Sequence, residues 1–407
     1  MSNVDNHAFL SPSTSDRWLN CTPSARLEAL EPKQATSTYA SEGIEAHTLA
    51  ELKLSYLLSK TSDKIYNLNL ESFIKNSKYY NEEFNEFVDK FCDEVMTIIN
   101  EDYKGQCVKV VLEDIVKFED VVPDGSGTSD VVIIGPDFIH IIDLKFGKGV
   151  PVSAINNSQL RLYALGALRK YRLEGMFREV KMTICQPRLY DNSTDFMSVL
   201  DLYYWASNFV KPRAELAIQG KGELVSGDHC KFCRRKGKCE VLGEKQLEIA
   251  RQEFELAIVD NNVLEPKNMS PDMLSRILQI APKFIAWFKD VQTYATAAMI
   301  NEGIEIPGYK VVEGRSIRVI TNPDAIVETL KTSGFSEEDY LEPTKILGIT
   351  ALEKNVGKKL FNELCKDYII KPTGRPTIAL ETDRRVALDV KQFKLSGQEF
   401  EDDYDVE

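Results

Sequence analysis

SDVVIIGPDFIHIIDLKFGKG, residues 129–149, is the stretch on which the fold turns. Two β-branched, apolar runs, 129–135 and 138–146, flank Gly135-Pro136-Asp137, three residues suited to reversing the chain. The sequence predicts a β-hairpin here. With the turn centred near Pro136, antiparallel pairing sets Asp130 approximately opposite Ile142 and Asp143, so two carboxylates meet at one end of the hairpin. Asp143 and Lys145, two residues apart, share a face of the second strand, whereas Leu144 points the other way and leaves its carbonyl available.

Two carboxylates and a carbonyl oxygen suit a hard octahedral cation such as Mg²⁺ or Mn²⁺, with water and a phosphate oxygen filling the remaining positions. Such an ion lowers the pKa of its water, and a neighbouring ammonium positions that water or shares charge on a phosphoryl group. The reading is hydrolysis of a phosphodiester. A lone acid at a strand end is ordinarily a solvated cap. The combination of GTSD at 127–130 with IIDLKFGKG at 141–149 is not what packing alone would choose.

Outward from the hairpin, CVKVVLEDIVKF at 107–118 and EVKMTICQP at 179–187 read as further strands, with a helix over 153–171 between the hairpin and the last strand. Upstream, Phe84, Phe87, Val88, Phe91 and Val95 recur at helical spacing within 81–100. The string from Pro23 to about Ser59 reads as two helical pieces parted near Pro32. The second carries Ala46, Leu49, Ala50, Leu54, Leu57 and Leu58 on one face, with Gly43 near its start. This order specifies an α/β core with a mixed central sheet flanked by helices.

Beyond residue 201 the chain is mainly helical. Pro282 should kink or break the periodic stretch 270–303, GYKVVEGRSIRVI at 308–320 resembles a hairpin, and DAIVETLKTSG and ITALEKNVGKKLFNELC read as helices. Glu113 on the first strand could point towards the acids and is a weaker candidate.

At 407 residues with 43% hydrophobic and 28% charged residues, the chain can bury a sizeable core. No window approaches the 18 or so apolar residues of a membrane span, and the N-terminus lacks the order of a secretory signal. The expectation is a cytoplasmic protein without membrane partners. A net charge of −13 argues against wrapping nucleic acid by sheer basicity, but not against an enzyme with a local basic groove.

Eight cysteines in such a chain point to metal ligation where they cluster. Cys230, Cys233 and Cys239 form C-x2-C-x5-C in DHCKFCRRKGKCE, a loop around one soft metal centre. The fourth ligand is open between His229, which would make a zinc site, a remote cysteine, and none. Cys92, Cys107, Cys185 and Cys365 fall in apolar segments and read as core thiols. The basic run KFCRRKGK could contact phosphate or be a solvated loop.

SDVVIIGPDFIHIIDLKFGKG resembles motifs II and III of the PD-(D/E)xK nuclease superfamily, with Asp130 as the first acid and Asp143-Leu144-Lys145 as the D-x-K element. His47 in EGIEAHTLAE, with Gln159 and Tyr163 in SQLRLYALGAL, matches the upstream histidine and Q-x-x-x-Y motif of the RecB-like branch. The resemblance implies metal ligation by His47, Asp130, Asp143 and the Leu144 carbonyl. It further implies that Gln159 and Tyr163 orient Lys145 or contact DNA. RecB-like nucleases with an iron–sulfur cluster use one cysteine upstream of these motifs and three downstream. Cys21 in RWLNCTPSARLE stands in the upstream place, which implies a four-iron four-sulfur cluster on Cys21, Cys230, Cys233 and Cys239.

In layout the chain is similar to phage and prophage nucleases with this cysteine pattern. That implies a DNA nuclease, an exonuclease by kinship, in replication or recombination within a bacterial host. A helicase, recombinase or single-strand-binding protein would be its partner. The alternative is a catalytically silent DNA-binding or assembly module with a structural metal cluster. The expected organisation is a flexible 1–20, a nuclease core over 21–240 closed by the cysteines, a helical segment 241–305, a small α+β unit 306–396 and a disordered acidic tail 397–407.

Overall fold

The computed structural model describes residues 8–31, 37–149, 151–254, 258–259, 262–263, 269–314, 318–342, 345–370, 372, 376–380 and 385–388. The region around Pro32 and the acidic tail lie outside them. The chain divides into two compact units, Met1–Gln279 and Ile280–Glu407.

The first unit opens with two short helices, α1 (Ser15–Asn20) and α2 (Ser24–Ala29), followed by α3 (Thr38–Leu57), α4 (Asp63–Asn76) and α5 (Glu82–Thr97). Then come β1 (Lys109–Lys117), β2 (Ser126–Ile134), β3 (Phe138–Leu144), α6 (Ser158–Lys170), β4 (Glu179–Gln186) and β5 (Asp191–Ser198). Helices α7 (Val199–Trp205), α8 (Lys211–Gln219) and α9 (Glu240–Phe254) complete it, with the two-residue strands β6 (Ile258–Val259) and β7 (Asn262–Val263).

The five long strands form one mixed sheet in the order β1-β2-β3-β4-β5. All neighbours are antiparallel except β3 and β4, which run parallel because α6 carries the chain across between them. Every residue of β3 is buried, as its unbroken apolar run requires of a central strand covered on both faces. Side chains alternate accordingly. Val132, Ile134, Ile139 and Ile141 join Leu160, Ala164 and Leu168 of α6 in one core. Val131, Ile133, Ile142 and Leu144 join Leu49 and Leu54 of α3 and Phe84 and Phe91 of α5 in another. Truncating one of these, as in Ile142→Ala, should cost about 2–5 kcal/mol.

The N-terminal segment is more built in than its polarity suggests. Leu10 and Trp18 are fully buried, and Trp18 Nε1 donates to the Ser11 carbonyl at 3.1 Å. Among the elements not legible were α4, which buries no residue, and β5, whose polar sequence DNSTDFMS is that of an edge strand. Leu57, expected on the apolar face of α3, is exposed. Gly43 lies inside that helix rather than at its start. Cys92, Cys185 and Cys365 are buried as expected, but Cys107 is exposed, because it lies just ahead of β1 rather than in it.

Next in the chain is α10 (Pro271–Ala297), which continues through Pro282 without a break; the helix forgoes the one hydrogen bond that proline cannot donate. The second unit contains β8 (Tyr309–Glu313), β9 (Val319–Ile320), α11 (Pro323–Thr332), β10 (Leu341–Glu342), β11 (Lys345–Ile346), α12 (Ile349–Leu352), α13 (Lys358–Cys365), β12 (Ile369–Ile370) and β13 (Pro376–Leu380). The described residues of 308–320 do not pair with each other as the expected hairpin would. β8 pairs with β13 and β9 with β12, because alternation identifies a strand without naming its partner. Ile326, Leu330, Tyr340, Leu352 and Phe361 form this unit's core. No helix among the described residues is long and apolar enough to cross a membrane.

Candidate active site

The β2–β3 ladder ends at Val131↔Ile142, so Asp130 and Asp143 emerge where backbone pairing has just stopped. Asp130 replaces the missing rung with its side chain: Oδ2 accepts the Leu144 amide proton at 2.7 Å. Asp143 and Lys145 turn to the face covered by α6. Lys145 Nζ stands 2.8 Å from Asp143 Oδ2 and donates to Gln159 Oε1 at 3.1 Å. Gln159 Nε2 in turn donates to Asp143 Oδ1 at 3.3 Å and Tyr163 Oη at 3.1 Å. Gln159 and Tyr163, four apart on α6, therefore reach the acids from one helical face. Tyr163 approaches because Gly127 opposite has no Cβ, which would lie 2.8 Å from the tyrosine's Cε1.

His47, from α3, closes the site, its Nδ1 3.2 Å from Asp130 Oδ1. Glu113 joins it from β1. The β1–β2 register runs Leu112↔Val131 and then Asp114↔Ser129, passing over Glu113 and Asp130. Glu113 sits there with φ +46°, a conformation a glutamate seldom adopts and one found at sites where a side chain must be aimed. Donor atoms of His47, Glu113 and Asp130 all fall within 4.8 Å of one another. Asp143 is outside that triplet, its carboxylate drawn towards Lys145. The sequence marked Glu113 only weakly because the local backbone turn that aims it leaves no trace in residue type.

The electrostatics are those of a site short of positive charge. Burial and the Asp130 carboxylate push Glu113 up to about 7. Burial alone would lower His47, but Asp130, aided by Asp143 and Glu113, overrides it and carries the imidazolium up to about 9. Burial raises Asp143, with Asp130 adding to the effect and Lys145 opposing it. Burial would depress Lys145, yet Asp143 and Asp130 hold it above its ordinary value. Asp143 Oδ2 is buried beside the Lys145 ammonium, 2.8 Å away. Protons and one ammonium thus stand in for the missing charge. One imidazole among carboxylates is a donor set that fits Mg²⁺ or Mn²⁺.

Arg188, just after β4, links α3 to the residue that follows Lys145. Its Nη2 is 2.5 Å from Glu42 Oε1 on α3, and its guanidinium lies 4.0 Å from the Phe146 ring centroid. Residue type did not mark Arg188, because its partners lie 42 and 146 positions away.

The four expected cysteines converge although Cys21 is remote in sequence. Cys21, Cys230, Cys233 and Cys239 line one small cavity together with Arg17 and His229. The N-terminal helices hold the downstream loop: Arg17 pairs with Glu28 at 2.6 Å and donates to the Phe232 carbonyl at 3.0 Å, and the Arg234 amide donates to Glu28 Oε1 at 2.8 Å. The Gly227 amide donates to Cys230 Sγ at 3.4 Å. His229 Nε2 is engaged with the Val225 carbonyl at 2.8 Å. Much of the basic run is answered locally, with Arg235 and Lys238 both paired to Glu31.

A family profile described as "Protein of unknown function (DUF2800)" matches residues 7–386. The chain belongs to the DUF2800 family. In this DUF2800 protein the match takes in every candidate residue from Cys21 to Cys239. Among solved structures, "Crystal structure of SSO0001" is similar at 12% identity, covering 56% of this chain and 96% of that one with a TM-score of 0.22. That likeness is too slight to carry an argument.

Proposed function

We propose that this chain is a divalent-metal-dependent deoxyribonuclease with a PD-(D/E)xK core. The observation that carries the reading is the meeting of Asp130, Asp143 and Lys145 at one edge of a hairpin, with the imidazole of His47 3.2 Å from Asp130. His47, Asp130 and Glu113, with Asp143 and the Leu144 carbonyl at the same edge, would hold Mg²⁺ or Mn²⁺. The bound ion would acidify a water molecule and neutralise charge on a phosphodiester.

The protein's own groups do the rest. Lys145 offers its ammonium to the phosphoryl oxygens and the attacking water. Gln159, bonded to both Lys145 and Asp143, fixes the angle between them, and Tyr163 holds Gln159. The exonuclease role in phage replication or recombination, and a helicase or recombinase partner, belong to the same proposal.

The cysteines support a structural iron–sulfur cluster. Cys21, Cys230, Cys233 and Cys239 line one cavity, and an amide donating to Cys230 Sγ suits a thiolate ligand.

The test is cleavage of labelled single- and double-stranded DNA by the full chain with Mg²⁺ or Mn²⁺. Wild type should cut and EDTA should stop it; Asp143→Asn should be inactive. Cleavage by Asp143→Asn at the wild-type rate would remove this site from the reaction.

A further inference from the structure

Tyr190 follows β4 with φ +51°, in the left-handed region, and its side chain is 77% exposed. A bulky residue there costs on the order of 1 kcal/mol of backbone strain. Core packing does not offset it, since most of the ring faces solvent. The ring is nevertheless held in place. Lys90 Nζ lies 4.6 Å from its centroid and donates to Tyr190 Oη at 3.2 Å. The same ammonium is 4.7 Å from the Phe87 centroid, and Phe87 meets Tyr190 edge-on at 6.2 Å.

This patch adjoins the candidate active site. Arg188 lies 5.7 Å from the Phe87 centroid as well as against Phe146, the residue directly after Lys145. Lys148, also exposed, follows on the same loop. Arg188 is paired with Glu42 and Lys148 stands 3.6 Å from Glu83, so the feature is a strained, exposed aromatic with the Lys90 ammonium held against it beside a carboxylate–lysine site. Its chemistry matches a single-stranded nucleic acid, in which an unpaired base stacks on an aromatic ring and cations meet the backbone. A duplex buries its base faces and could not use the ring.

We propose that Tyr190 is the stacking platform for an unpaired base of a single-stranded DNA whose backbone leads into the Asp130–Asp143–Lys145 site. This rests on the nuclease reading but is tested apart from it.

The experiment is fluorescence anisotropy with the full chain in EDTA, where no turnover occurs, using a labelled oligothymidylate and an abasic strand of equal length. Wild type should prefer the oligothymidylate. Tyr190→Ala should weaken that binding about tenfold and leave abasic binding unchanged, whereas Tyr190→Phe should retain most of the affinity. Tyr190→Asn suits the backbone and should melt no lower than wild type while losing the same affinity, which separates binding from a structural role. Equal binding of oligothymidylate by Tyr190→Ala and wild type, or equal losses on both strands, would overturn the proposal. Cleavage without a Tyr190 effect removes the platform and spares the nuclease. A Tyr190 effect without metal-dependent cleavage does the reverse.

Discussion

Asp130 and Leu144 are joined across the open end of the hairpin, the carboxylate accepting the Leu144 amide proton at 2.7 Å where the β2–β3 ladder has already ended. The acid is therefore both a rung of the sheet and a candidate metal ligand. The two roles separate by substitution. Asp130→Asn keeps an acceptor for the amide and should lose under about 1 kcal/mol of stability, whereas Asp130→Ala leaves the amide unpaired and should lose about 1–3 kcal/mol. Urea denaturation reads both, and both variants should lose Mn²⁺ binding in calorimetric titration.

Arg188 ties α3 to the end of β3, through Glu42 on one side and Phe146 on the other. Glu42 precedes His47 by five residues on the same helix, so the pair anchors the segment of α3 that carries the imidazole. Arg188→Met should destabilise by about 2 kcal/mol, because the partner acid is left poorly solvated, and should weaken Mn²⁺ binding severalfold. A variant that melts lower but binds Mn²⁺ with unchanged affinity would deny the positioning role.

His140 gives the fold an acid limit. It is fully buried, with Nδ1 2.8 Å from Tyr103 Oη and Nε2 2.8 Å from Thr183 Oγ1. Burial, helped by Lys181, holds its pKa well below the ordinary 6.5. Below that value the unfolded chain binds a proton that the native one refuses, so stability falls with pH, by up to about 1.4 kcal/mol per unit for one group. His140→Asn should be less stable at neutrality, with a shallower decline between pH 6.5 and acid. Urea midpoints across that range check it.

The cysteine cavity should hold iron. Protein purified without oxygen should be brown, with broad visible absorption, and Cys233→Ala should lose both iron and melting temperature, since ligation couples to folding. Zinc in place of iron by metal analysis would contradict the cluster and leave the loop's clasp by Arg17 and Glu28 intact.

Legibility in the sequence followed locality. The long β-branched runs of β1 to β4 and the periodic α6 were readable because each declares its burial pattern within a few residues. So were Asp143 and Lys145, whose shared face is a matter of spacing by two. β5 was not, because an edge strand need not be apolar. The 308–320 segment misled because alternation does not say which strand will pair. Arg188, Tyr190 and the aim of Glu113 depend on distant contacts or single backbone angles, which residue type does not encode.

The central claim is that Lys145 acts on a phosphodiester beside a cation held by the neighbouring acids. Single-turnover cleavage of a labelled DNA strand by wild type and Lys145→Ala in Mn²⁺, with Mn²⁺ affinity measured on both, tests it most directly. The expected result is a rate loss of about 100-fold or more with Mn²⁺ still bound. Equal rates for the two proteins, or no metal-dependent cleavage by wild type, would contradict it.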